Sequence, residues 1–460
     1  MIYTKRILSF LMSFATLMTG TSVGQYADGD FPAPASAYIL AQPVYPNFPE
    51  RPMMLEDDSE ETWNAYKKDY DKYTNALSAF HVDGSDLTTE EKREIFAFAA
   101  KSTPLVLTNR KGENTVYSPL SLWSAMAMLA QCANGSSRQQ VLNALGVDSV
   151  DSLQKQASHI WRTMYTDDGQ SSLILGNSIW LDSNAGGTYV QDTLDALAQK
   201  YFAGAYSVPM GIPETDQVIT NWVKEQTNGL VGNDDPVVQT DPQTLVLLAS
   251  SLYYKSAWID EFSKTDTQED TFTDAAGKES KVDFMYKSQD SSFLRRDGYQ
   301  AAALNTYLGE IIFVLPDESV SPESLLQDPN FLTGLELQDT DSIWGEVQWS
   351  VPKFDVDSDM MLNALLSSMG VTDLLDENKA DLSAITNLNA YISAIKQLTR
   401  IKVDEEGVEA AAVTIISDVP TSSIPDPNAE ICVMDLDRPF LFVIRIKDVP
   451  LFVGVVNQVQ

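Results

Sequence analysis

The residues that carry out catalysis in enzymes are scarce in this sequence and poorly spaced. The 460 residues include two histidines, His81 and His159, for which surface or packing roles are expected. A Ser-x-x-Lys pattern spans Ser393 to Lys396, but the Lys-Thr-Gly triplet that accompanies it in penicillin-binding enzymes is absent. No phosphate loop, dinucleotide fingerprint or metal-ligand spacing occurs either. The sequence therefore predicts a protein that is not an enzyme and uses no cofactor or metal.

The most distinctive stretch runs from Asp404 to Ser423 and reads DEEGVEAAAVTIISDVPTSS. Gly407 supplies backbone freedom, and three consecutive alanines begin three residues later, at Ala410. The Glu- and Ala-rich first half is compatible with a helix, whereas the β-branched run that begins at Val413 favours a strand. The stretch is expected to end in an exposed loop, and its own residues leave its conformation undecided.

Residues 405–414 resemble the hinge of the reactive-centre loop of inhibitory serpins. In that family the loop is bait for a protease, and after cleavage the part before the cut inserts as a new strand into a large sheet. The matching hinge positions are Glu405, Gly407, Val408, Glu409, Ala410, Ala411, Ala412 and Thr414. Every second residue from Val408 to Thr414 would face the core of that sheet. All four are small or β-branched and uncharged, as burial requires.

Further serpin-like segments follow in family order from about residue 88 to the C-terminus. Ser118, which is expected to open a buried helix with Pro119 at its first position, and Ser121 match the serines of the family's shutter. Trp258 follows a predicted buried strand and matches the tryptophan of the breach, the point where the loop enters the sheet. The other matching segments are 219–223, 227–229, 245–255, 311–318, 351–354, 369–371, 380–383, 438–440 and 450–454.

Two pairs of residues along the predicted path of the loop are assigned from the resemblance. Most serpins pair a histidine with an asparagine in the shutter, and here these positions fall on Gln397 and Ser250. Both side chains can take part in hydrogen bonds, so a substitute hydrogen-bonded pair is expected. Lys281 and Glu405 align with a family salt bridge near the entry of the loop, and we expect that pair here.

The resemblance implies a scissile bond at Thr421–Ser422, counted along the loop from Gly407. A small, uncharged residue before the bond suits an elastase-like or subtilisin-like serine protease, which would be trapped as a covalent complex. No Lys or Arg lies between Lys402 and Arg438. This argues against trypsin-like proteases, whose specificity pocket binds those side chains.

Composition and the N-terminus indicate where the protein acts. The net charge of −34, from 31 basic and 65 acidic residues, argues against nucleic acids and anionic membranes as partners. Lys5 and Arg6, followed by an apolar run to Met18, are typical of a secretory signal, so we expect an extracellular monomer. Cys132 and Cys432 are expected to be free and buried, with a single disulfide as the alternative.

The predicted organisation has four segments. Residues 1–24 form a signal peptide, 25–58 a Pro-rich linker, 59–87 a helical N-terminal extension and 88–460 the serpin-like domain. The resemblance implies the α+β serpin fold, with a large central mixed β-sheet, two smaller sheets, about eight or nine helices and an exposed reactive-centre loop.

The function implied by the resemblance is that of a secreted, bacterial-type inhibitor that acts as a suicide substrate. A non-inhibitory serpin acting as a binding or structural module is the alternative, against which the uncharged hinge argues. A secreted hydrolase is a third reading, discounted because no catalytic constellation is evident.

Overall fold

A computed structural model describes residues 34–52, 59–80, 87–169, 171–232, 236–337, 340–392, 395–409 and 430–459. The helices in these ranges are α1 (Glu60–Phe80), α2 (Thr89–Leu107), α3 (Pro119–Cys132), α4 (Gly135–Leu145), α5 (Val150–Met164), α6 (Gln191–Lys200), α7 (Pro213–Gln226), α8 (Pro322–Leu325) and α9 (Asn363–Ser368). The strands are β1 (Ile39–Ala41), β2 (Thr115–Tyr117), β3 (Thr166–Asp167), β4 (Ser172–Asp182), β5 (Ala203–Val208), β6 (Val246–Ala257), β7 (Gln268–Thr273), β8 (Glu279–Arg296), β9 (Tyr299–Asn305), β10 (Glu310–Pro316), β11 (Ile343–Pro352), β12 (Phe354–Met361), β13 (Lys396–Val403), β14 (Gly407–Val408), β15 (Glu430–Asp435), β16 (Phe440–Ile446) and β17 (Val449–Val456). The α+β class is therefore confirmed.

Local capping signals start the first helices of the main domain. Thr88 and Glu91 form a reciprocal capping box at α2, in which each side chain accepts a hydrogen bond from the other residue's backbone N–H. Ser118 caps α3, and Pro119 occupies its first position, as predicted. Nearly every side chain of α3 is buried, so this helix lies inside the molecule.

The first sheet contains eight strands, in the order β1-β5-β4-β6-β14-β13-β12, with β3 added beside β4. Strands β4 and β5 are parallel, and the other neighbouring pairs are antiparallel. Helix α3 lies beneath one face, where Ser121 contacts Ser250 of β6. Helix α7 crosses the other face and packs on Trp180 and Tyr206. Each face of the sheet therefore has a helix over its centre.

The second sheet contains nine strands, in the order β15-β11-β8-β9-β10-β16-β17-β2, with β7 added beside β8. Two smaller sheets were expected, but the structure joins them into one. The reason is the length of β8, 18 residues. Its first part pairs with β7 and its last part with β9, while β11 runs along most of its length.

Residues 34–52, called the strap below, bind along the edge of the first sheet. Strand β1 pairs with β5, and Tyr38 is buried in the apolar cluster beneath α7. Further along, the Tyr45 ring stacks on Trp161 at a centroid distance of 5.3 Å. Phe48 meets Phe80 at the end of α1, edge to face, at 5.0 Å. The strap therefore connects the α7 face of the sheet with α5 and α1.

The thiols of Cys132 and Cys432 are free and buried, as expected. Among the helices of the described ranges, none is long and apolar enough to span a membrane. In the same ranges no group of three or more His, Cys, Asp or Glu side chains could hold a metal ion.

Candidate functional site

The predicted hinge begins in a tight turn after β13. The Asp404 amide donates to the Gly407 carbonyl at 3.0 Å, and the Glu406 amide donates to Asp404 Oδ1 at 3.0 Å. Gly407 has φ of +153°, and a Cβ at this position would collide with the carbonyl oxygen of Ser256. Glycine is therefore required for the chain to turn back so close to β6.

Strand β14 starts a new strand between β6 and β13. Gly407 lies opposite Ala257, and Val408 lies between Ser256 of β6 and Val403 of β13. The Val408 side chain is buried, facing the core as predicted. The start of the hinge is thus a strand, which settles for Gly407 and Val408 the conformation that the sequence leaves undecided.

Below β14 the two flanking strands are not paired with each other. Across the described residues of the first sheet, β6 and β13 are linked only through β14. On the α7 side, a cavity of about 310 Å³ is lined by Ile219, Val223, Leu247, Ala249, Leu398 and neighbouring side chains. On the α3 side, a cavity of about 20 Å³ lies beside Ser250 and Gln397, enough for about one water molecule. A gap in the hydrogen-bonded ladder, with a cavity on each face of the sheet, therefore continues the line of β14, and this gap is called the slot below.

The shutter residues meet at the N-terminus of α3, but with different partners from those expected. Gln397 accepts a hydrogen bond from the Ser118 amide and donates one to the Ser118 carbonyl, both at 2.9 Å. Ser121 Oγ donates to the Ser250 carbonyl at 3.2 Å. The predicted Gln397–Ser250 pair is therefore wrong. Because the amide of Gln397 presents a donor and an acceptor together, it satisfies both backbone groups of one residue.

The breach tryptophan holds the turn that precedes β14. Trp258 Nε1 donates to the Asp404 carbonyl at 2.9 Å, and its backbone amide donates to the Glu406 carbonyl at 3.0 Å. The ring is buried and meets Phe262 edge to face at 6.1 Å. Trp258 thus binds the polypeptide at the entrance of the slot through two hydrogen bonds.

The carboxylate beside the breach is paired with a lysine that differs from the predicted one. Glu405 is buried, and its carboxylate meets Lys353 Nζ at 3.2 Å and accepts from Thr267 Oγ1 at 3.0 Å. Burial opposes ionisation, but hydrogen bonds from its own amide, Lys353 and Thr267 lower the pKa of Glu405. The predicted Lys281–Glu405 pair is wrong, because Lys281 lies on β8 opposite Thr271 and donates to its hydroxyl at 2.6 Å.

Lys353 and Thr267 were missed by sequence reasoning. They lie 52 and 138 residues from Glu405 in the chain, and no local pattern marks them as its partners. The predicted hinge residues Ala410, Ala411, Ala412 and Thr414 lie outside the described residues. The predicted reactive bond Thr421–Ser422 and the predicted signal peptide 1–24 also lie outside them.

Comparison with known proteins agrees with the fold. Residues 94–459 match the family profile described as "Serpin (serine protease inhibitor)". The chain belongs to the serpin family. Serpin-Z2B of Triticum aestivum is 30% identical over 386 residues, covering 78% of this chain and 93% of that protein. Members of this family are mostly protease inhibitors rather than catalysts.

Solved serpin structures superpose on most of this serpin. The native state of the thermophilic serpin tengpin matches with a TM-score of 0.73 and 26% identity, over 82% of this chain and 96% of that one. Human thyroxine-binding globulin matches with a TM-score of 0.68 and 22% identity, over 81% of this chain and 99% of that one. At that identity the second match shows the fold alone.

Proposed function

We propose that this serpin is a secreted suicide inhibitor of an elastase-like or subtilisin-like serine protease. The observation that carries the proposal is the slot between β6 and β13, which β14 enters at one end. Strand β14 has only two residues, and the slot continues below it. The residues that follow β14 in the chain can therefore extend this strand along the slot.

The register of β14 predicts where each following residue would lie after insertion. Antiparallel continuation would set Ala410 between Tyr254 and Ile401, Ala412 between Leu252 and Thr399, and Thr414 between Ser250 and Gln397. These residues would face α3, where space is tightest, and alanine is the smallest side chain that continues a strand. Thr414 would meet the polar shutter, so its hydroxyl would have hydrogen-bonding partners at hand.

The other face of the same strand would fill the cavity beneath α7. Val413 would lie between Ser251 and Leu398, and Ile415 between Ala249 and Lys396. All four of these flanking residues belong to the lining of the 310 Å³ cavity. Two β-branched apolar side chains therefore suit both the chemistry of this lining and a strand conformation.

Insertion would release enough free energy to drive a large rearrangement. Burying Val413, Ile415 and Ile416 is worth about 2 kcal/mol each. Each new ladder hydrogen bond adds about 1 kcal/mol. The total, on the order of 10 kcal/mol, is comparable to the whole stability of a typical domain. The uncleaved protein would be metastable, because an intact loop that is tethered at both ends cannot insert fully.

The protease would supply the nucleophile for the reaction. Its catalytic serine would attack the Thr421 carbonyl, form an ester with Thr421 and expel the α-amino group of Ser422 with a proton. The freed strand would then insert and carry the esterified protease with it. Inhibition requires insertion to outrun hydrolysis of the ester by water.

The test is incubation with pancreatic elastase, neutrophil elastase and subtilisin, followed by denaturing gels and mass spectrometry. We expect a complex that survives denaturation and a released fragment that begins at Ser422. Clean cleavage by all three proteases without a complex would contradict the proposal and favour a non-inhibitory serpin. Secretion is tested by measuring the mass of the protein recovered from the culture medium. If the signal peptide is removed, that mass should correspond to a chain without residues 1–24.

A further inference from the structure

Glu409 is the residue at which the docked hinge stops following the sheet. Its amide donates to the Lys402 carbonyl at 2.9 Å, so the pairing begun by Val408 reaches it. Its φ of +45° then turns the backbone away from an extended conformation. A left-handed conformation is unfavourable for a glutamate. Contacts of the Glu409 side chain can offset that cost at the point where the hinge leaves the sheet.

The Glu409 carboxyl lies half-buried between the two strands that flank the slot. Its Oε2 atom is buried and has no hydrogen-bond partner among the described residues. Tyr253 and Lys255 of β6 face it from one side, and Arg400 and Lys402 of β13 from the other. An unpaired buried carboxylate oxygen is costly when the group is ionised and far less so when it is protonated.

The groups around the carboxyl are themselves engaged. The Arg400 guanidinium binds both carboxylate oxygens of Asp355 at 2.8 Å. The Tyr253 hydroxyl accepts from Asn228, which follows α7, at 3.3 Å, and it also shares a hydrogen bond with the Glu409 carboxyl. Burial outweighs this hydrogen bond and the attraction of Lys255, Arg400 and Lys402, and it raises the pKa of Glu409 to about 7.

We propose that Glu409 is a positioning residue that couples docking of the hinge to the uptake of one proton. When the carboxyl is neutral, it can remain between β6 and β13 and keep Gly407 and Val408 in the slot. When it is ionised, its preference for water draws this end of the hinge out of the sheet.

The sign follows from the two pKa values of this one group. Docking raises the pKa from the usual 4.5 to about 7, so the contribution of Glu409 is complete below pH 4.5 and is lost as pH rises through 7. Between pH 6 and pH 8, the ratio of docked to undocked hinge should fall about tenfold. In an inhibitor this would hold the hinge in acid and free the loop in mild alkali, a consequence that rests on the proposed function.

The coupling is tested by hydrogen exchange on the full-length protein, followed at the amides of Val408 and Glu409. Wild type and Glu409→Gln are compared at pH 6 and at pH 8, so that the intrinsic pH dependence of exchange cancels. The amide variant cannot ionise, and we expect its protection relative to wild type to rise about tenfold between the two values. Glu406→Gln is the matched control, because this neighbouring carboxylate binds the exposed Lys264.

The proposal would be overturned if the ratio of protection in Glu409→Gln to protection in wild type were the same at pH 6 and at pH 8, and if Glu406→Gln gave the same result. A second readout compares wild type with Glu406→Gln: both should lose docking as pH rises towards 7, so the ratio of their protection should stay constant. No protease enters either measurement. A failure to trap protease would therefore count against the proposed function and leave proton coupling standing.

Discussion

At the scale of single residues, the stability of the turn that begins the hinge depends on the partner of one buried carboxylate, that of Glu405. Glu405 lies next to the turn that Trp258 holds, and Lys353 provides its only positive charge within 4 Å among the described residues. Leaving a buried hydrogen-bonding group without its partner costs about 1–3 kcal/mol. The ion pair between Glu405 and Lys353 therefore stabilises the entrance of the slot.

We expect Lys353→Met to loosen the breach, with about tenfold faster hydrogen exchange of the Trp258 amide at pH 7. The difference should vanish in acid, because a lowered pKa stabilises the fold above the unfolded value of about 4.5 and that stabilisation is lost as pH falls through the lowered pKa. Lys281→Met is the matched control, since Lys281 binds Thr271 at the surface. Equal exchange in the two variants would contradict this role of Lys353.

Ala412 tests whether the loop enters the sheet. In the proposed register this side chain would face α3 between Leu252 and Thr399, where an arginine would bury its charge without a partner. We expect Ala412→Arg to be cut by the target protease at the wild-type rate without forming a stable complex. Asn428→Arg adds the same charge on the far side of the reactive bond and should still trap protease. A stable covalent complex with Ala412→Arg would rule out insertion in this register.

Local signals at the residue scale were readable from the sequence, and long-range pairings were not. Ser118 marks a helix start because a cap involves residues only three positions apart. Gln397 was expected to pair with Ser250, but its partner is the backbone of Ser118. Backbone partners depend on how two distant segments meet, and residue types do not encode them directly.

At the scale of elements, the strap adds strand β1 to one edge of the first sheet. This is the sheet into which the loop is proposed to insert, between β6 and β13. Tyr38 shares an apolar cluster with Trp222 of α7 and Tyr206 of β5. The Val44 amide donates to the Ala198 carbonyl at the end of α6, at 2.9 Å. The strap thus attaches α7 to the body of the protein from the side opposite β13.

Tyr38→Ala should release the strap from the sheet. Removing a buried aromatic ring costs about 3 kcal/mol, and each 1.4 kcal/mol changes an equilibrium tenfold. We expect the Val44 amide, which donates to the Ala198 carbonyl, to exchange its hydrogen at least about tenfold faster in the variant. Leu40→Ala, at a side chain that is 39% exposed on the same strand, should change the rate little. Equal rates in the two variants would show that Tyr38 does not hold the strap.

The helices and the buried strands of the first sheet follow from hydrophobic pattern, but the connection between sheets does not. Strand β6 was recognised from its apolar run, and α7 from its sequence resemblance. The joining of two expected small sheets depends on β8 continuing over 18 residues, and its polar segments give no sign of that length. The docking of the strap was equally hidden, because short Pro-rich segments have no periodicity.

At the scale of the whole molecule, the account describes a protein that keeps one strand position of its central sheet unfilled. Two described residues of the hinge occupy the upper end of that position, and the apolar cavity beneath α7 continues it. Cleavage of the loop would convert this vacancy into a continuous antiparallel sheet. If the proposed function holds, the fold would then be a store of free energy that the target protease itself releases.

The most direct test of insertion between β6 and β13 is hydrogen exchange of the protein before and after its loop is cleaved. Any protease that cleaves the loop can be used, whether or not it becomes trapped. The account predicts that residues 410–416 become strongly protected in the cleaved protein, and that the lower halves of β6 and β13 gain protection with them. Residues 410–416 that exchange as fast after cleavage as before, with β6 and β13 unchanged, would contradict it. In that case the slot between β6 and β13 would not be the destination of the loop.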